Sequence, residues 1–310
     1  MVKAPPIPFT FLAVCVIVYP IWFLKLYLEV WVMSFRIIVD SCCEMTPQMK
    51  QDDCFVKVPL TIDCNGSTFV DDETFDQADL LWAMKQSKDA PTTSCPAPQT
   101  YLDAYQAGGE DVYVVTLSAL LSGSHNSAQQ ARVLLEEEEP QTNVHVFNSC
   151  SAVCGETAIA LKIKELAQAG LPFKKVVREV EQFIARMKTL FVLEDLENLR
   201  KNGRLTKLQA VVTGALRIKL FCHATPEGEI GKVGQALTVK QALAKLVDKA
   251  AEDPDHVGRP LLITHVNCLE RAFQVKKMIE EKCRFSNISI TEAGGITTVY
   301  ANDGGIVVAY

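Results

Sequence analysis

The chain has 310 residues and a formal net charge of −6, with 48% hydrophobic and 22% charged residues. This length supports a large core and predicts two domains, and the acidic balance excludes a general nucleic-acid-binding role. The eleven cysteines are scattered without a CxxC pair, so we expect reduced thiols in a cytoplasmic protein rather than a metal site or a disulfide framework.

An apolar segment opens the chain. Residues 9–24 are almost uninterrupted in apolar character, broken by Thr10 and Pro20 and followed by Lys25. The segment is short for a membrane span. A secretory signal peptide also fits poorly, because no small-residue cleavage site follows the segment. Either residues 1–32 precede the true start at Met33 and the protein is cytoplasmic, or they anchor it to a membrane. We expect membrane contact only in the second case.

Strands and helices alternate through the first half of the sequence. Apolar, β-rich runs predict strands at 35–39, 55–62, 67–70, 112–115 and 144–147. Amphipathic runs predict helices at 75–84, 99–106, 151–169 and 172–187, and a further helix after residue 125 capped by Asn126 or Ser127. Three prolines within residues 90–98 predict an irregular, stiff loop. The alternation indicates an α/β domain over residues 33–188 with a mostly parallel sheet flanked by helices.

The second half has a different pattern. Strands are predicted at 189–192, 218–222, 229–233, 261–266, 288–291 and 306–310, and helices at 196–200, 208–216, 239–250 and 268–282. The pair of strands around 226–228 reads as antiparallel. We therefore expect a second α/β domain over residues 189–310 with a smaller mixed sheet.

Two hydroxyl-rich loops are the candidate site of the first half. Thr93 and Ser94 lie in one, and Ser122, Gly123 and Ser124 in the other. Strand–loop–helix geometry places hydroxyls and unpaired N–H groups at the carboxyl edge of a sheet, where they can bind a carboxylate or a phosphate without a fixed charge.

A serine-dependent hydrolase, or an enzyme with a phosphate ligand, is the alternative for these loops. The nucleophile would be Ser124 or Ser94 with a histidine base. The chain has no GxSxG motif, and His125 projects away from Ser124 because sequence neighbours do not face each other on a helix. No Walker-type loop or GxGxxG motif is present either, which leaves a nucleotide site without support.

Two further residues stand beside turns. Arg204 follows the tight turn Asn202–Gly203; it is either a solvated turn residue or an arginine that orients an anion or lies at a domain interface. Tyr300 precedes a glycine-containing turn before the last strand, where it either packs or offers its hydroxyl to a cleft.

The sequence resembles the DegV family of bacterial fatty-acid-binding proteins, which includes the acyl-binding subunits of the two-component fatty acid kinase. The resemblance runs from about Met33 to Tyr310. Its motifs, in the order of the family, are IIVDS (37–41), VPLTI (58–62), TSCP (93–96), LSGSHNSA (121–128), LRKNGRLT (199–206), RIK (217–219) and the closing ANDGG turn (301–305).

The resemblance implies two α/β domains with a long-chain fatty acid between them and no cofactor. Its carboxylate would be held by Thr93, Ser94 and Ser122, with backbone donors from Gly123 and Ser124, and by Tyr300, which stands where many relatives have a histidine. The acyl chain would occupy an apolar tunnel, since each buried CH₂ contributes about 0.8 kcal/mol. A separate ATP-dependent fatty acid kinase would phosphorylate the bound acid, so this chain would be a binding subunit and no enzyme.

Overall fold

The computed structural model describes residues 35–205 and 218–310. The predictions for the apolar segment 1–32 and for a helix at 208–216 lie outside the described residues, as do Thr206 and Arg217 of the family motifs. Within the described ranges, no helix combines the length and apolar character needed to cross a membrane.

Thirteen strands and nine helices lie within the described ranges. The strands are β1 (Phe35–Asp40), β2 (Phe55–Val58), β3 (Thr61–Cys64), β4 (Ser67–Val70), β5 (Thr92–Ser94), β6 (Asp111–Thr116), β7 (Asn143–Asn148), β8 (Thr189–Val192), β9 (Lys219–Ala224), β10 (Ile230–Ala236), β11 (Pro260–His265), β12 (Asn287–Glu292) and β13 (Ile306–Ala309). The helices are α1 (Gln77–Gln86), α2 (Pro98–Gln106), α3 (Ser124–Glu138), α4 (Cys154–Gln168), α5 (Phe173–Arg186), α6 (Glu197–Lys201), α7 (Val239–Glu252), α8 (Leu269–Lys282) and α9 (Gly295–Ala301).

A four-stranded parallel sheet is built from the first half, in the order β2-β1-β6-β7. Its central strands are buried on both faces because helices cover both. Ile37 and Tyr113 pack with residues of α4 and α5, whereas Ile38 and Val114 pack with residues of α2 and α3. The predicted parallel sheet flanked by helices is thereby confirmed.

A six-stranded mixed sheet is built from the second half, in the order β10-β9-β8-β13-β11-β12. Only β11 and β12 pair in parallel, and the other neighbours are antiparallel. The predicted mixed sheet is confirmed, but its expected smaller size is wrong, because it has six strands against four. All its strands follow residue 188, and the two-domain division at that point stays a prediction.

A third sheet of three strands, β4-β3-β5, corrects two expectations for the first half. The run 55–62 forms two strands, because the strand is interrupted at Pro59. The second of them, β3, pairs with β4 and β5 rather than with the parallel sheet. The stretch 90–98 is not wholly irregular: its prolines lie outside residues 92–94, so the backbone there pairs with β3.

The start of one helix and the presence of another also differ from the predictions. Helix α3 starts at Ser124, with Gly123 at its N-cap and no side-chain cap, so neither Asn126 nor Ser127 caps it. Helix α9 was not predicted, because its sequence begins with glycine and is rich in β-branched residues, both of which disfavour helix.

Candidate functional site

A cavity lies among residues of the six-stranded sheet, the three-stranded sheet and α9, and of the loops that follow β1 and β6 of the parallel sheet. Most of its wall is apolar, with contributions that include Leu60, Leu117, Phe191, Ile296 and Val307. The cavity therefore suits an elongated apolar group.

Strand β8 forms one side of this cavity. Thr189, Phe191 and the following Leu193 all line it, as expected for alternate residues that project from the same face of a strand. Leu190 and Val192 instead pack into the hydrophobic core on the opposite face. The row of three residues extends about 13 Å along the wall at the ordinary rise of a strand.

Polar side chains gather at one part of the cavity wall. The Thr93 Oγ1 and Tyr300 hydroxyl oxygens are 2.7 Å apart, and Ser122 lines the same cavity. The Arg204 guanidinium carbon lies 5.5 Å from the centroid of the Tyr300 ring, within cation–π distance. The structure thus brings together Thr93, Ser122, Arg204 and Tyr300 from four separate segments of the chain.

Arg204 and Ser122 are each held by backbone groups. The Arg204 Nε donates to the Leu121 carbonyl oxygen at 3.2 Å, which ties the turn after α6 to the loop before α3. The Ser124 N–H donates to the Ser122 Oγ at 3.2 Å. Ser122 therefore keeps its own hydroxyl proton to donate.

The remaining predicted site residues do not line the cavity. Ser124 is fully buried, and its hydroxyl donates to Asp40 Oδ2 at 2.7 Å and lies 2.6 Å from the Tyr101 hydroxyl. Ser94 is an exposed residue of β5. Gly123 lies on a neighbouring surface groove, which Ser122 and Arg204 also line.

The geometry does not supply a serine nucleophile with a histidine base. His125 Nδ1 lies 3.1 Å from Thr116 Oγ1, and its Nε2 lies 3.4 Å from the Gln129 amide nitrogen. All five histidines fall within the described ranges, and none hydrogen-bonds to Ser94 or Ser124 there. The hydrolase interpretation requires such a pair, so the described residues do not support it.

A buried carboxyl pair underlies the loop that carries Ser122. Asp40 Oδ2 accepts from the Leu117 N–H at 2.9 Å as well as from Ser124. Burial raises the pKa of Asp40. Burial also raises the pKa of Glu156 well above its ordinary value, and the nearby Asp40 charge raises it further. Repulsion between the two carboxyl groups therefore favours the protonated form of Glu156.

A second pair of carboxyl groups meets the first turn of α9. Both carboxyl oxygens of Glu44 lie 2.9 Å from the Gly294 nitrogen, which donates to them. The Asp71 carboxylate accepts from the Gly295 N–H at 2.7 Å and from the Ile296 N–H at 3.0 Å. Burial, and after it the nearby Asp71 charge, raises the pKa of Glu44 to about 8.

Among the described residues, no group of three or more His, Cys, Asp or Glu side chains is arranged to hold a metal ion. The ten cysteines in these ranges are all free thiols.

A model of the DegV family, described as uncharacterised proteins, matches residues 34–310. The chain belongs to the DegV family. A DegV domain-containing protein from Streptococcus pyogenes serotype M1 is 33% identical over 280 residues, which are 90% of this chain and 99% of that protein.

Two solved DegV family structures are similar over nearly the same length. A protein of the family from Ruminococcus gnavus, refined with vaccenic acid, has a TM-score of 0.87 at 45% identity, covering 90% of this chain and 100% of that one. The Streptococcus pneumoniae Fatty Acid Kinase (Fak) B3 protein, loaded with linoleic acid, has a TM-score of 0.80 at 32% identity, covering 89% and 99%. The α/β class predicted from the sequence is confirmed by this similarity.

The carboxyl groups that support the site of this DegV family chain were not predicted from the sequence. Asp40 ends an apolar strand, and Asp71 directly follows β4. An acidic residue at the end of a strand, or directly after it, is a signal that could have pointed to both, although Asp72 and Glu73 follow Asp71. Asp40 accepts from Leu117, which lies 77 positions away in the chain, and Asp71 accepts from Gly295, which lies 224 positions away. No local pattern could have assigned these partners.

Proposed function

We propose that this protein binds a long-chain fatty acid as a cytoplasmic carrier. The carboxylate accepts hydrogen bonds from the hydroxyls of Thr93, Ser122 and Tyr300, with the positive charge of Arg204 nearby, and the acyl chain fills the apolar cavity. The observation that carries the proposal is the Thr93–Tyr300 hydroxyl pair in the wall of a largely apolar cavity. The fatty acids held by the R. gnavus and S. pneumoniae proteins support it.

The chemistry of the cavity agrees with this ligand. Hydrogen bonds from neutral hydroxyls to a charged acceptor are worth about 1.5–3 kcal/mol each, and the tail contributes about 0.8 kcal/mol for each buried CH₂. Ser124 serves the carboxylate indirectly, because its N–H orients Ser122. Ser94 contributes to strand pairing with Thr61.

Native mass spectrometry tests the proposal directly. Protein purified under mild conditions should carry the added mass of a fatty acid, and delipidated protein should take up labelled palmitate or oleate. A clean ligand-free species that takes up neither acid would refute the proposal. Labelled glucose of matched specific activity provides the negative control.

We further propose that the bound acid is presented to a separate ATP-dependent kinase. The similarity to the S. pneumoniae Fak B3 protein supports this step. So does the geometry, because Ser122 and Arg204 line both the cavity and the surface groove beside it, and a carboxylate bound by them would lie within reach of a partner. Loaded protein mixed with ATP and a fatty acid kinase catalytic subunit should yield acyl phosphate, and no product from several such kinases would contradict it.

A further inference from the structure

We propose that Asp71 is a positioning residue for the carboxylate site: by holding the first turn of α9, it sets where the Tyr300 hydroxyl meets Thr93. This inference rests on the proposed function. Asp71 itself does not line the cavity, and nothing in the family resemblance gives it a role.

The contacts of Asp71 fix both its own carboxylate and the helix. The residue is buried, and its N–H donates to the Leu60 carbonyl oxygen at 3.0 Å, directly after β4. Each carboxylate oxygen then accepts from a different N–H of α9, at Gly295 and Ile296. Two hydrogen bonds accepted by one carboxylate define the direction as well as the position of the helix start. The negative charge of the carboxylate is also favourable at a helix N-terminus.

The same small sheet contacts α9 a second time. Thr93 lies in β5 and pairs with Ile62 of β3, which in turn pairs with β4, the strand that leads into Asp71. Tyr300 lies five residues after Gly295, about 7.5 Å along the helix axis. The three-stranded sheet therefore holds α9 near its start through Asp71 and near its end through the Thr93–Tyr300 hydrogen bond.

Helix α9 keeps this position through tertiary contacts rather than through its own helix propensity, and Asp71 provides two of them. It has seven residues, four of them β-branched in succession from Ile296 to Val299, and such a short segment is not stable by itself. Its start is also in direct contact with the sheet, since a Cβ on Gly295 would lie 2.6 Å from Ile62 Cδ1 and 3.1 Å from Asp71 Cγ. A change at Asp71 should therefore be transmitted along one and a half turns to Tyr300.

A double-mutant cycle tests the inference, with dissociation constants for oleate as the readout. Asp71→Asn replaces one acceptor oxygen by an amide that cannot accept from an N–H of α9. We expect it to weaken binding about tenfold in the otherwise unchanged protein, but less than about twofold in the Tyr300→Phe background. Asp72→Asn, at the adjacent acid whose carboxylate accepts from Thr74, is the matched control and should leave affinity unchanged in both backgrounds.

Two results would overturn the inference: unchanged affinity in Asp71→Asn, or an equal loss in the presence and absence of the Tyr300 hydroxyl. The second would show that Asp71 supports the site without acting through Tyr300. If the unsubstituted protein takes up no oleate at all, the proposed function fails instead, so uptake is measured first.

Amide hydrogen exchange on the unsubstituted protein covers the case in which Asp71→Asn does not fold. If the start of α9 and the carboxylate site move as a unit, oleate should slow exchange of the Gly295 and Ile296 amides. Exchange at these two amides that is the same with and without oleate would contradict the inference.

Discussion

The hydroxyl oxygens of Thr93 and Tyr300 lie 2.7 Å apart, although 207 positions separate the two residues in the chain. One belongs to a strand of the three-stranded sheet and the other to α9. Without a ligand, each hydroxyl has the other as its partner, which avoids the cost of an unsatisfied polar group. A carboxylate has oxygens enough to accept from both at once, so the pair can exchange one set of hydrogen bonds for another.

Replacing Tyr300 by Phe should weaken fatty acid binding by about 1–3 kcal/mol, since one donor to a charged acceptor is lost. Isothermal titration with oleate measures the change. Tyr105→Phe is the matched control: it removes the hydrogen bond to the Ala128 carbonyl oxygen, a buried contact outside the cavity, so it should lower the melting temperature but leave affinity unchanged. Equal affinities of Tyr300→Phe and the parent would contradict the proposed carboxylate site.

Ser122 and Ser124 should differ in what their substitution changes. Ser122→Ala removes a hydroxyl from the cavity wall and should weaken oleate binding by about 1–3 kcal/mol with little change in stability. Ser124→Ala leaves Asp40 and Tyr101 without their shared buried partner and should lower the free energy of unfolding by a similar amount. Urea unfolding and oleate titration on both variants separate the effects. A larger loss of affinity in Ser124→Ala than in Ser122→Ala would reverse the assignment.

Phe191 should influence which acyl chains fit. Phe191→Leu enlarges the cavity, so the affinity for a 20-carbon acid relative to a 16-carbon acid should rise about fourfold or more for each additional buried CH₂, at about 0.8 kcal/mol per group. Competition between the two labelled acids measures this ratio. Phe221→Leu makes the same change in the core on the other face of the sheet and should lower stability without altering the ratio. An unchanged ratio in Phe191→Leu would show that the chain takes another path.

Glu44 should make the protein less stable as the pH rises. Its folded-state pKa of about 8 exceeds the ordinary value of 4.5, so between these values the folded state keeps a proton that the unfolded state releases. Raising the pH through this range therefore lowers the free energy of unfolding. The full effect corresponds to up to about 5 kcal/mol, at about 1.4 kcal/mol for each tenfold change in proton binding.

Glu44→Gln removes this titration. As the pH is raised from 5 to 9, the melting temperature of the variant should therefore rise relative to that of the parent protein. Glu73→Gln, an exposed acid in the same region, serves as the control and should show no such trend. A difference between Glu44→Gln and the parent that stays constant across this range would contradict the predicted titration.

The strands and loops of the site could be predicted from the sequence better than the roles of individual residues. Thr93 and Ser122 could be identified because turn and strand patterns are local. The family motif favoured Ser122 over Ser124, but no local pattern predicted that Ser124 is turned inward by Asp40, 84 positions earlier. Helix α9 was missed for the same reason: its residues disfavour helix, and the carboxylates that hold its first turn come from the first half of the chain.

One face of strand β8 lines the cavity, and its other face packs into a hydrophobic core. Phe191 contributes to the surface that a ligand would meet, whereas Leu190 and Val192 join the core formed with α7 and α8. A substitution at position 191 changes the shape of the cargo space, and one at 190 or 192 changes how firmly the sheet is held. Related proteins can therefore diverge in cargo preference along this strand while the scaffold that supports it stays intact.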